Sequence, residues 1–463
     1  MRRAFDGVSG RAPALVLLFL LSLPAVTPRL YASDEIEYFA FLRSLWFDRD
    51  LSFENEYQYF YDHGIARAQG FHETFLEMTS ETGRRLNFGT LGCAVLWAPF
   101  YAVADVGVRL ARAAGSPVEA DGFSKPYLAA VAYGSAIYGF LAVLISAQVA
   151  RRIAGDGVLA AAAVWVGTPL LFYMYLAPGM SHACSAFTVA AFVALWLRVR
   201  ERWSTSGLIS LGAAAALMAM VREQDGFAIL GPALDWAWTS LDNRRAGRRF
   251  PRIASAIAGA AAFVLCFAPQ AWAYVVLNGH VGPAKSVAEK MRWASPHALQ
   301  VILSPEHGFF VWTPLALIAI AGLLLWSAAP PASAPMGAGT RRVVVCLLAI
   351  VVAQVYITGA VGTWSVAGSF GQRRFVSTTV ALVTGLAILL REARGWRRTL
   401  LGAAIGLSIW WNLGLMAQFG AGMMDRQKLE PGRNAYNTFV TVPLMLPQLA
   451  YRYLFDRASF YRR

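Results

Sequence analysis

Apolar runs of membrane-spanning length alternate with short polar gaps along nearly the whole chain. The runs at residues 127–150 and 342–361 reach the ~20 residues that a helix needs to cross a bilayer, and the run at 12–23 approaches that length. Helices satisfy their backbone hydrogen bonds segment by segment in lipid, and no stretch alternates like a strand of an outer-membrane barrel. The pattern predicts an all-α fold, a polytopic membrane helix bundle of about eleven transmembrane helices.

The predicted organisation is a single transmembrane domain over residues 1–463. The first span covers 12–28, an external loop with amphipathic juxtamembrane helices covers 29–126, further spans fill 127–420, and 421–463 is a C-terminal tail. The opening could instead be a signal peptide cleaved near Ala32, but the many spans behind it favour an anchor. The further predicted spans are 127–150, 157–176, 182–197, 206–221, 226–240, 253–277, 309–326, 342–361, 375–391 and 399–420.

Two segments are ambiguous in this pattern. Residues 89–112 are apolar but contain Pro99 and Asp105. If Arg151 and Arg152 are cytoplasmic, this segment does not cross, and we expect a second interfacial or re-entrant helix on the outer side. Residues 436–455 are apolar with Pro443 and Pro447, and both an interfacial helix and a last crossing remain open.

Charge supports this topology. The chain is 57% hydrophobic and only 15% charged, with a net charge of +14 and a mean hydropathy of +0.47. The arginines cluster in gaps between apolar runs, which is typical of cytoplasmic loops of a membrane protein and argues against nucleic-acid binding. These clusters are Arg151–Arg152, Arg198/Arg200/Arg202, Arg244–Arg245 with Arg248–Arg249, Arg341–Arg342 and Arg391/Arg394/Arg397/Arg398. We therefore expect a multi-pass protein of the cell (inner or plasma) membrane.

Histidine and lysine residues are concentrated on the opposite, extracytoplasmic side. All the histidines and four lysines fall on or near the predicted outer loops, whereas the cytoplasmic loops use arginine. The active site is therefore expected to face outward. The residues are His63, His72, His182, His280, His297 and His307, with Lys125, Lys285, Lys290 and Lys428. The four cysteines have no metal-ligand spacing and are interpreted as small core residues.

The first candidate for chemistry is the acidic pair that follows the first span. Ser33 is a suitable N-cap for a helix whose first turn holds Asp34 and Glu35. Acids in a first turn stabilise any helix through its dipole. Alternatively, Asp34 is a general base at the membrane surface, where the head group of a lipid-linked donor must lie.

The second candidate is a pair of arginines in the outer loop 364–375. Arg373 and Arg374 lie beside glycines, and guanidinium groups match phosphate oxygens well. They would not serve as a topogenic signal on the outer side. Arg84 and Arg85, at the end of the acidic loop, could also face a phosphate or could pair with neighbouring carboxylates.

Two further sites are candidates for substrate positioning. Glu306 and His307 lie in an outer loop that enters a span, although an aromatic-belt helix entry would look the same. Arg222 sits with Glu223 and Asp225 at the tip of a predicted hairpin, where charges that pair with one another would give the same pattern.

These motifs, in this order, resemble the GT-C superfamily of polytopic glycosyltransferases, particularly the protein O-mannosyltransferase and aminoarabinose-transferase-like branch. Asp34-Glu35 resembles the family's acidic pair, and residues 87–92 (NFGTLG) with 96–101 (LWAPFY) resemble its second juxtamembrane helix. Residues 127–173 resemble its helical hairpin with a short basic turn, and residues 371–375 (GQRRF) its late Gly-x-Arg-aromatic element. The paired prolines often found before the second juxtamembrane helix are missing, and Arg-Phe stands where Arg-Tyr is common.

The resemblance implies transfer of a sugar from a polyprenyl-phosphate donor to an acceptor on the outer face, with inversion at the anomeric carbon. The acceptor is a glycan, lipid or protein. Asp34 would act as base with Glu35 assisting, facing Arg373 and Arg374 across a lipid-accessible cleft. Without a clear ligand set, we predict no cofactor and no metal. The alternative hypothesis is a transporter or flippase of a lipid-linked or small polar substrate, but such proteins concentrate charge within interrupted spans.

Overall fold

A computed structural model describes residues 12–65, 70–247, 253–337, 339–366 and 368–460. These residues form an all-helical fold, with an isolated strand-like bridge between Thr79 and Arg85. The predicted Arg248–Arg249 pair lies outside the described residues. The helices are α1 (Ala12–Ser22), α2 (Ser33–Arg43), α3 (Glu54–Asp62), α4 (Gly92–Ala113), α5 (Lys125–Ala154), α6 (Val158–Gly167), α7 (Leu170–Tyr175), α8 (His182–Val199), α9 (Thr205–Val221), α10 (Leu230–Arg245), α11 (Ile253–Asn278), α12 (Lys285–Ala288), α13 (Ala298–Leu303), α14 (Phe309–Trp312), α15 (Pro314–Ala328), α16 (Gly339–Ala360), α17 (Thr379–Glu392), α18 (Trp396–Ala421), α19 (Pro431–Tyr436) and α20 (Val442–Phe455).

Among the described residues, 7 helices are long and apolar enough to cross a membrane. These are Gly92–Ala113, Lys125–Ala154, His182–Val199, Ile253–Asn278, Gly339–Ala360, Arg373–Glu392 and Trp396–Ala421. Shorter apolar helices occur at Ala12–Ala25, Val158–Gly167, Thr205–Val221 and Pro314–Ala328. The prediction of a multi-pass helical membrane protein is confirmed, while the number of crossings stays a prediction.

Two predicted spans are interrupted in the structure. The span 157–176 is divided into α6 and α7 at Thr168–Pro169, because proline lacks a backbone donor and clashes with the preceding turn. The Asn412 amide donates to the carbonyls of Val166 (2.8 Å) and Thr168 (3.2 Å), which end α6. The predicted span 226–240 is a 3-10 turn, Glu223–Ile229, followed by the more polar α10.

The chain divides into two compact units. The first comprises Met1–Ala25, Phe140–Phe172 and Trp293–Arg463. Its helices α15 and α17 cross in close contact, since a Cβ on Gly322 would lie 1.9 Å from the Gly385 carbonyl oxygen. Small residues permit such close helix packing within a membrane.

The second unit comprises Val26–Gly139 and Tyr173–Arg292. Its core is rich in aromatic residues from α2, α3 and α4, such as Phe39, Tyr57 and Trp97, all fully buried. These side chains attach α2 and α3 to the apolar helix α4.

Helix α4 runs antiparallel to the first half of α5. The Tyr138 hydroxyl donates to the Leu96 carbonyl (2.9 Å), and the Tyr127 hydroxyl donates to Asp105 (2.7 Å). The start of α4 is therefore level with Tyr138. That residue precedes Arg151, at the arginine-bearing end of α5, by 13 positions, or about 20 Å of helix. This geometry favours the interfacial or re-entrant placement expected for residues 89–112.

Candidate functional site

The acidic pair after the first span occupies the first turn of α2, but its two carboxylates have different surroundings. The helix is capped by Ala32 rather than by the predicted Ser33, and Ala32 has no side-chain acceptor to offer. The Glu35 carboxylate provides the missing acceptor: its Oε2 accepts hydrogen bonds from the N–H groups of Tyr31 (3.0 Å) and Ala32 (3.1 Å). Asp34 is half-buried, whereas Glu35 is fully buried.

The burial of Glu35 changes its acidity. Desolvation raises the pKa of the Glu35 carboxyl from 4.5 to about 7, and the backbone N–H groups of Tyr31, Ala32 and Gly179 offset part of that rise. Burial disfavours the charged form of a carboxyl. Glu35 therefore closes the start of α2, and Asp34 is the more exposed of the two carboxylates.

Asp34 belongs to a polar cluster that we call the Asp34 cluster: Asp34, Tyr38, Ser181, His182 and Arg222. Asp34 and Tyr38 are four residues apart and share a face of α2. Desolvation raises the pKa of the Tyr38 hydroxyl, while the Arg222 charge lowers it and the Asp34 charge raises it further. A carboxylate, a phenol and a guanidinium thus act on one another.

Arg222 is held in this cluster by α8. Its Nη1 donates to Nδ1 of His182 at 2.5 Å. One turn further along α8, Ser185 donates from Oγ to Asp225 Oδ2 at 2.5 Å. The Asp225 N–H in turn bonds to the Arg222 carbonyl at 3.0 Å. The predicted hairpin tip is therefore a clamped turn, and its charges are not merely paired with one another.

Residues 87–92 join three elements of this unit. The Glu37 carboxylate accepts the Phe88 N–H at 2.6 Å, and Thr90 Oγ1 donates to the Val221 carbonyl at 2.9 Å. Gly92 lies directly on α9, since a Cβ there would be 2.3 Å from the Val221 nitrogen. This segment fixes α2 relative to the residue that precedes Arg222.

Arg84 and Arg85 make contacts within their own loop. Arg84 donates to the Leu51 carbonyl at 3.2 Å. Arg85 forms an ion pair with Glu54 at 2.8 Å and donates to the Glu77 carbonyl at 3.1 Å. These contacts favour the pairing that the sequence left as an alternative, and a phosphate role for either arginine stays a prediction.

The other unit holds the second set of candidates around the 3-10 turn Arg373–Thr378, which we call the Arg373 cluster: His307, Ser369, Gln372, Arg373 and Arg374. The turn begins after Gly371, which has φ +61° and packs on Pro169, where a Cβ would lie 2.7 Å from Cγ. Glycine is the residue that adopts this backbone conformation without strain. Arg373 and Arg374 are both half-buried.

His307 supports this turn from a fully buried position. Its Nε2 bonds to the Ser369 carbonyl at 2.9 Å, and its ring stacks on Trp312 at 4.6 Å. Gln372 donates to the His307 carbonyl at 3.2 Å. Burial, with a smaller contribution from the Arg373 charge, lowers the pKa of His307 to about 4. The imidazole is therefore neutral at pH 7 and donates from Nε2.

The two arginines differ. Arg374 donates to the Thr363 carbonyl (3.1 Å) and to its hydroxyl oxygen (3.3 Å), and the Arg374 carbonyl accepts from Gln354 at 3.0 Å. The Arg373 charge acts on His307. Glu306 is exposed, with its N–H bonded to Ser304 Oγ at 3.0 Å.

No group of three or more His, Cys, Asp or Glu side chains among the described residues could hold a metal ion.

The sequence did not single out Tyr38, Ser181 and His182 as partners of Asp34. The four-residue spacing of Asp34 and Tyr38 was the available signal for the tyrosine. Nothing in the sequence indicates that His182 meets Arg222, because that contact depends on how α8 and α9 pack.

No protein-family model and no curated protein matches this chain. Among solved structures, the chain resembles the crystal structure of ArnT from Cupriavidus metallidurans bound to undecaprenyl phosphate. The TM-score is 0.54 at 16% sequence identity, and the match covers 99% of this chain and 73% of that chain. ArnT is a GT-C aminoarabinose transferase. The resemblance to this fold that the sequence motifs predicted is confirmed, and at this identity the match concerns the fold alone.

Proposed function

We propose that this protein is a GT-C-type glycosyltransferase that moves a sugar from a polyprenyl-phosphate-linked donor to an acceptor on the extracytoplasmic face. The observation that carries this proposal is the fold match over 99% of the chain to a structure whose ligand is undecaprenyl phosphate. The Asp34 cluster supports it independently, because it places a reachable carboxylate at the start of the first outer helix.

The chemistry is a single displacement at the anomeric carbon. Asp34 takes the proton of the acceptor hydroxyl as its oxygen attacks that carbon. The bond from the anomeric carbon to the phosphate oxygen breaks, and its electron pair leaves with the polyprenyl phosphate. Attack opposite the leaving group gives inversion.

A cation must stabilise the charge that grows on the departing phosphate. We assign this role to Arg373, the first residue of the turn that follows Gly371, with Arg374 beside it. Arg374, Arg84 and Arg85 keep supporting roles in the donor region. His307 positions Arg373 through the Ser369 carbonyl, and Glu306 is left exposed to meet substrate.

Within the Asp34 cluster, Arg222 positions the substrate and Glu35 positions Asp34. Glu35 ties the backbone of residues 31 and 32 to the first turn of α2, and so fixes the direction in which Asp34 leaves the helix. Arg222 offers an anionic or hydroxylated substrate a donor that α8 already holds in place.

The proposed topology keeps the N-terminus cytoplasmic and uses about eleven crossings, with α4 on the outer side. Both sets of candidate residues then lie outside. The arginine-rich turns at Arg151–Arg152 and Arg391–Arg398 stay in the cytoplasm, as the positive-inside rule requires.

The decisive experiment uses the purified protein in phospholipid vesicles. A polyprenyl-phosphate-sugar fraction and an acceptor fraction from the native membrane are supplied, and acceptor-dependent release of polyprenyl phosphate is measured together with binding of radiolabelled undecaprenyl phosphate. We expect Asp34→Asn to abolish release and leave undecaprenyl phosphate binding unchanged. Undiminished turnover in Asp34→Asn would remove the base assignment, and carrier-lipid movement across vesicles without bond cleavage would favour the flippase alternative.

A further inference from the structure

The C-terminal helical segment, α19 to α20, is attached to the bundle near both of its ends. Near its start, Gln418 of α18 donates to the Thr438 hydroxyl (2.8 Å) and to the Asn434 carbonyl (3.2 Å). Trp410 also donates to the Thr438 carbonyl at 3.1 Å. The start of the segment therefore lies beside the last turns of α18.

The other end of the segment is attached to the exit of the first span. The Tyr453 hydroxyl donates to the Ala25 carbonyl at 2.6 Å. Arg457 donates to the Pro24 carbonyl at 2.9 Å. Both contacts use the backbone that follows α1.

Helix α6 provides a common depth scale for the two attachment points. The Phe19 ring of α1 lies 6.2 Å from that of Trp165, and Asn412 of α18 bonds to the carbonyls of Val166 and Thr168. Ala25 is six residues beyond Phe19, and Gln418 is six residues beyond Asn412. At 1.5 Å per residue, six residues place each attachment point about 9 Å beyond its contact with α6. The two contacts with α6, at Trp165 and at Val166 to Thr168, lie within about 5 Å of each other along its axis, so the two attachment points lie at similar depths.

These attachment points are on the outer side of the membrane. Arg391 donates to the Ala154 carbonyl at 2.9 Å, which joins the arginine-rich ends of α17 and α5 on the cytoplasmic side. α6 and α18 both begin just after those ends and run away from them. The residues that follow α1 and α7 also meet, since the Thr27 N–H bonds to the Tyr175 carbonyl at 2.8 Å.

The segment exposes an apolar stripe at helical spacing. Along one face of α19 to α20, exposed apolar side chains recur at intervals of four or seven residues, which is one or two helical turns, and Leu444 and Phe455 are 79% and 74% exposed. Arg452 and Arg457 lie on the same helical segment, and each packs on an aromatic ring at 4.6 Å. The stripe comprises Tyr436, Val440, Leu444, Tyr451 and Phe455.

The geometry points to an interfacial role: α20 lies in the plane of the outer leaflet, its stripe buried among the lipids, and residues 431–460 stay outside the cell membrane's core. A 14-residue helix is about 21 Å long, so a crossing α20 could not have both ends at one depth. An apolar face with flanking arginines is what an interfacial helix presents to lipid. This inference does not depend on the proposed sugar transfer.

Spin-label depth measurement tests the placement. Nitroxides are attached at Leu444→Cys and, separately, at Phe455→Cys, in a Cys266→Ser background, because Cys266 is the exposed native thiol among the described residues. The full chain is placed in phosphatidylethanolamine and phosphatidylglycerol vesicles, and collision with oxygen and with a nickel chelate gives each depth. The matched control pair is Ile253→Cys and Leu265→Cys on α11, which are 68% and 74% exposed.

We expect the labels at 444 and 455 to lie within about 5 Å of the same depth, whereas the control pair should differ by about 18 Å. A difference of about 16 Å between 444 and 455 would show that α20 crosses. Exclusion of both oxygen and nickel would show that protein, a partner or a second copy, covers the stripe. Either result overturns the proposal.

Sidedness is tested separately with a membrane-impermeant maleimide on intact cells. Asp456→Cys, at the exposed C-terminal end of α20 and away from the apolar stripe, should react at once, and Trp396→Cys, at the start of α18, should react only after permeabilisation. Reaction of Asp456→Cys only after permeabilisation would place α20 on the wrong side and reject the inference.

Discussion

Arg222 and His182, forty positions apart in the sequence, are joined by a hydrogen bond of 2.5 Å from Nη1 to Nδ1. A guanidinium can only donate, so the histidine nitrogen that faces it accepts. The Tyr173 ring packs against His182 at 4.4 Å and restricts its rotation. Arg222 is therefore presented to the Asp34 side of the cluster by a rigid partner on α8.

Arg222→Ala should lower kcat/KM for sugar transfer by about 30- to 150-fold, the effect of losing one charged hydrogen bond of about 2–3 kcal/mol. Arg222→Lys should recover only part of it, because an ammonium lacks the planar fork. Steady-state kinetics in detergent provides the measurement. The matched control is Arg85→Ala, whose partner is Glu54 in the outer loop, and an equal loss in both variants would contradict a specific role for Arg222.

Asp225→Asn should disturb Arg222 without contacting substrate. The Asp225 carboxylate accepts from Ser185, and the backbone N–H of Asp225 bonds to the Arg222 carbonyl. The asparagine side chain is a weaker acceptor for Ser185, so the turn loosens. We expect a roughly tenfold rise in KM with a smaller change in kcat, and Ser185→Ala should reproduce it. Should Asp225→Asn lower kcat alone, the residue would not act through Arg222.

The Arg373 cluster gives a prediction for the donor. Arg373→Ala should weaken binding of radiolabelled undecaprenyl phosphate by at least about tenfold, because a charged hydrogen bond to phosphate is worth roughly 1.5–3 kcal/mol. Arg374→Ala is the matched control: it removes the bonds to Thr363 and should change thermal stability more than binding. The reverse ranking would transfer the phosphate role to Arg374.

The membrane class and the outer-loop helices were predictable because they depend on local pattern. Apolar length gave most spans, and the four-residue spacing of Asp34 and Tyr38 places them on one face. The predicted span at 226–240 shows where prediction from hydropathy fails. Asp235, fully buried in α10, is bonded by Arg200 at 2.7 Å and 3.0 Å and by Trp196 at 3.0 Å, and no hydropathy pattern foresees such a partner.

The candidate residues also divide into features that local sequence predicts and contacts that only the fold determines. Arg84 and Arg85 looked equivalent to Arg373 and Arg374 as paired arginines, but their roles depend on which carbonyls and carboxylates the fold brings to them. The sequence made His307 a candidate for substrate positioning in an outer loop. In the structure it is fully buried, stacks on Trp312 and has a positive φ of 64°, and no local sequence pattern indicates that burial.

Gly92 should be intolerant of any side chain. A Cβ would lie 2.3 Å from the Val221 nitrogen and 2.4 Å from the Met220 carbonyl carbon, which are backbone atoms that cannot move aside. We expect Gly92→Ala to destabilise the protein by about 1–3 kcal/mol and to lower its Tm in detergent. Gly107→Ala in the same helix has no atom within 4 Å of the new methyl group and should instead stabilise by about 0.5–1 kcal/mol. Similar Tm values for the two variants would show that α4 does not pack on α9 as described.

Glu35 predicts a pH dependence of stability. Its folded pKa of about 7 exceeds the ordinary 4.5 because of burial, so the folded state binds the proton more tightly than the unfolded state does. The resulting stabilisation is fully present below pH 4.5 and is lost as pH rises through 7, by on the order of 3 kcal/mol. Glu35→Gln keeps an acceptor for the N–H groups of Tyr31 and Ala32 but cannot ionise. The Tm of this variant relative to the native protein should therefore rise between pH 5 and pH 8, whereas Glu73→Gln, an exposed change in the same loop, should not alter the profile. A constant Tm difference across this range would mean that Glu35 is not buried in the protonated form, and that the first turn of α2 is held in another way.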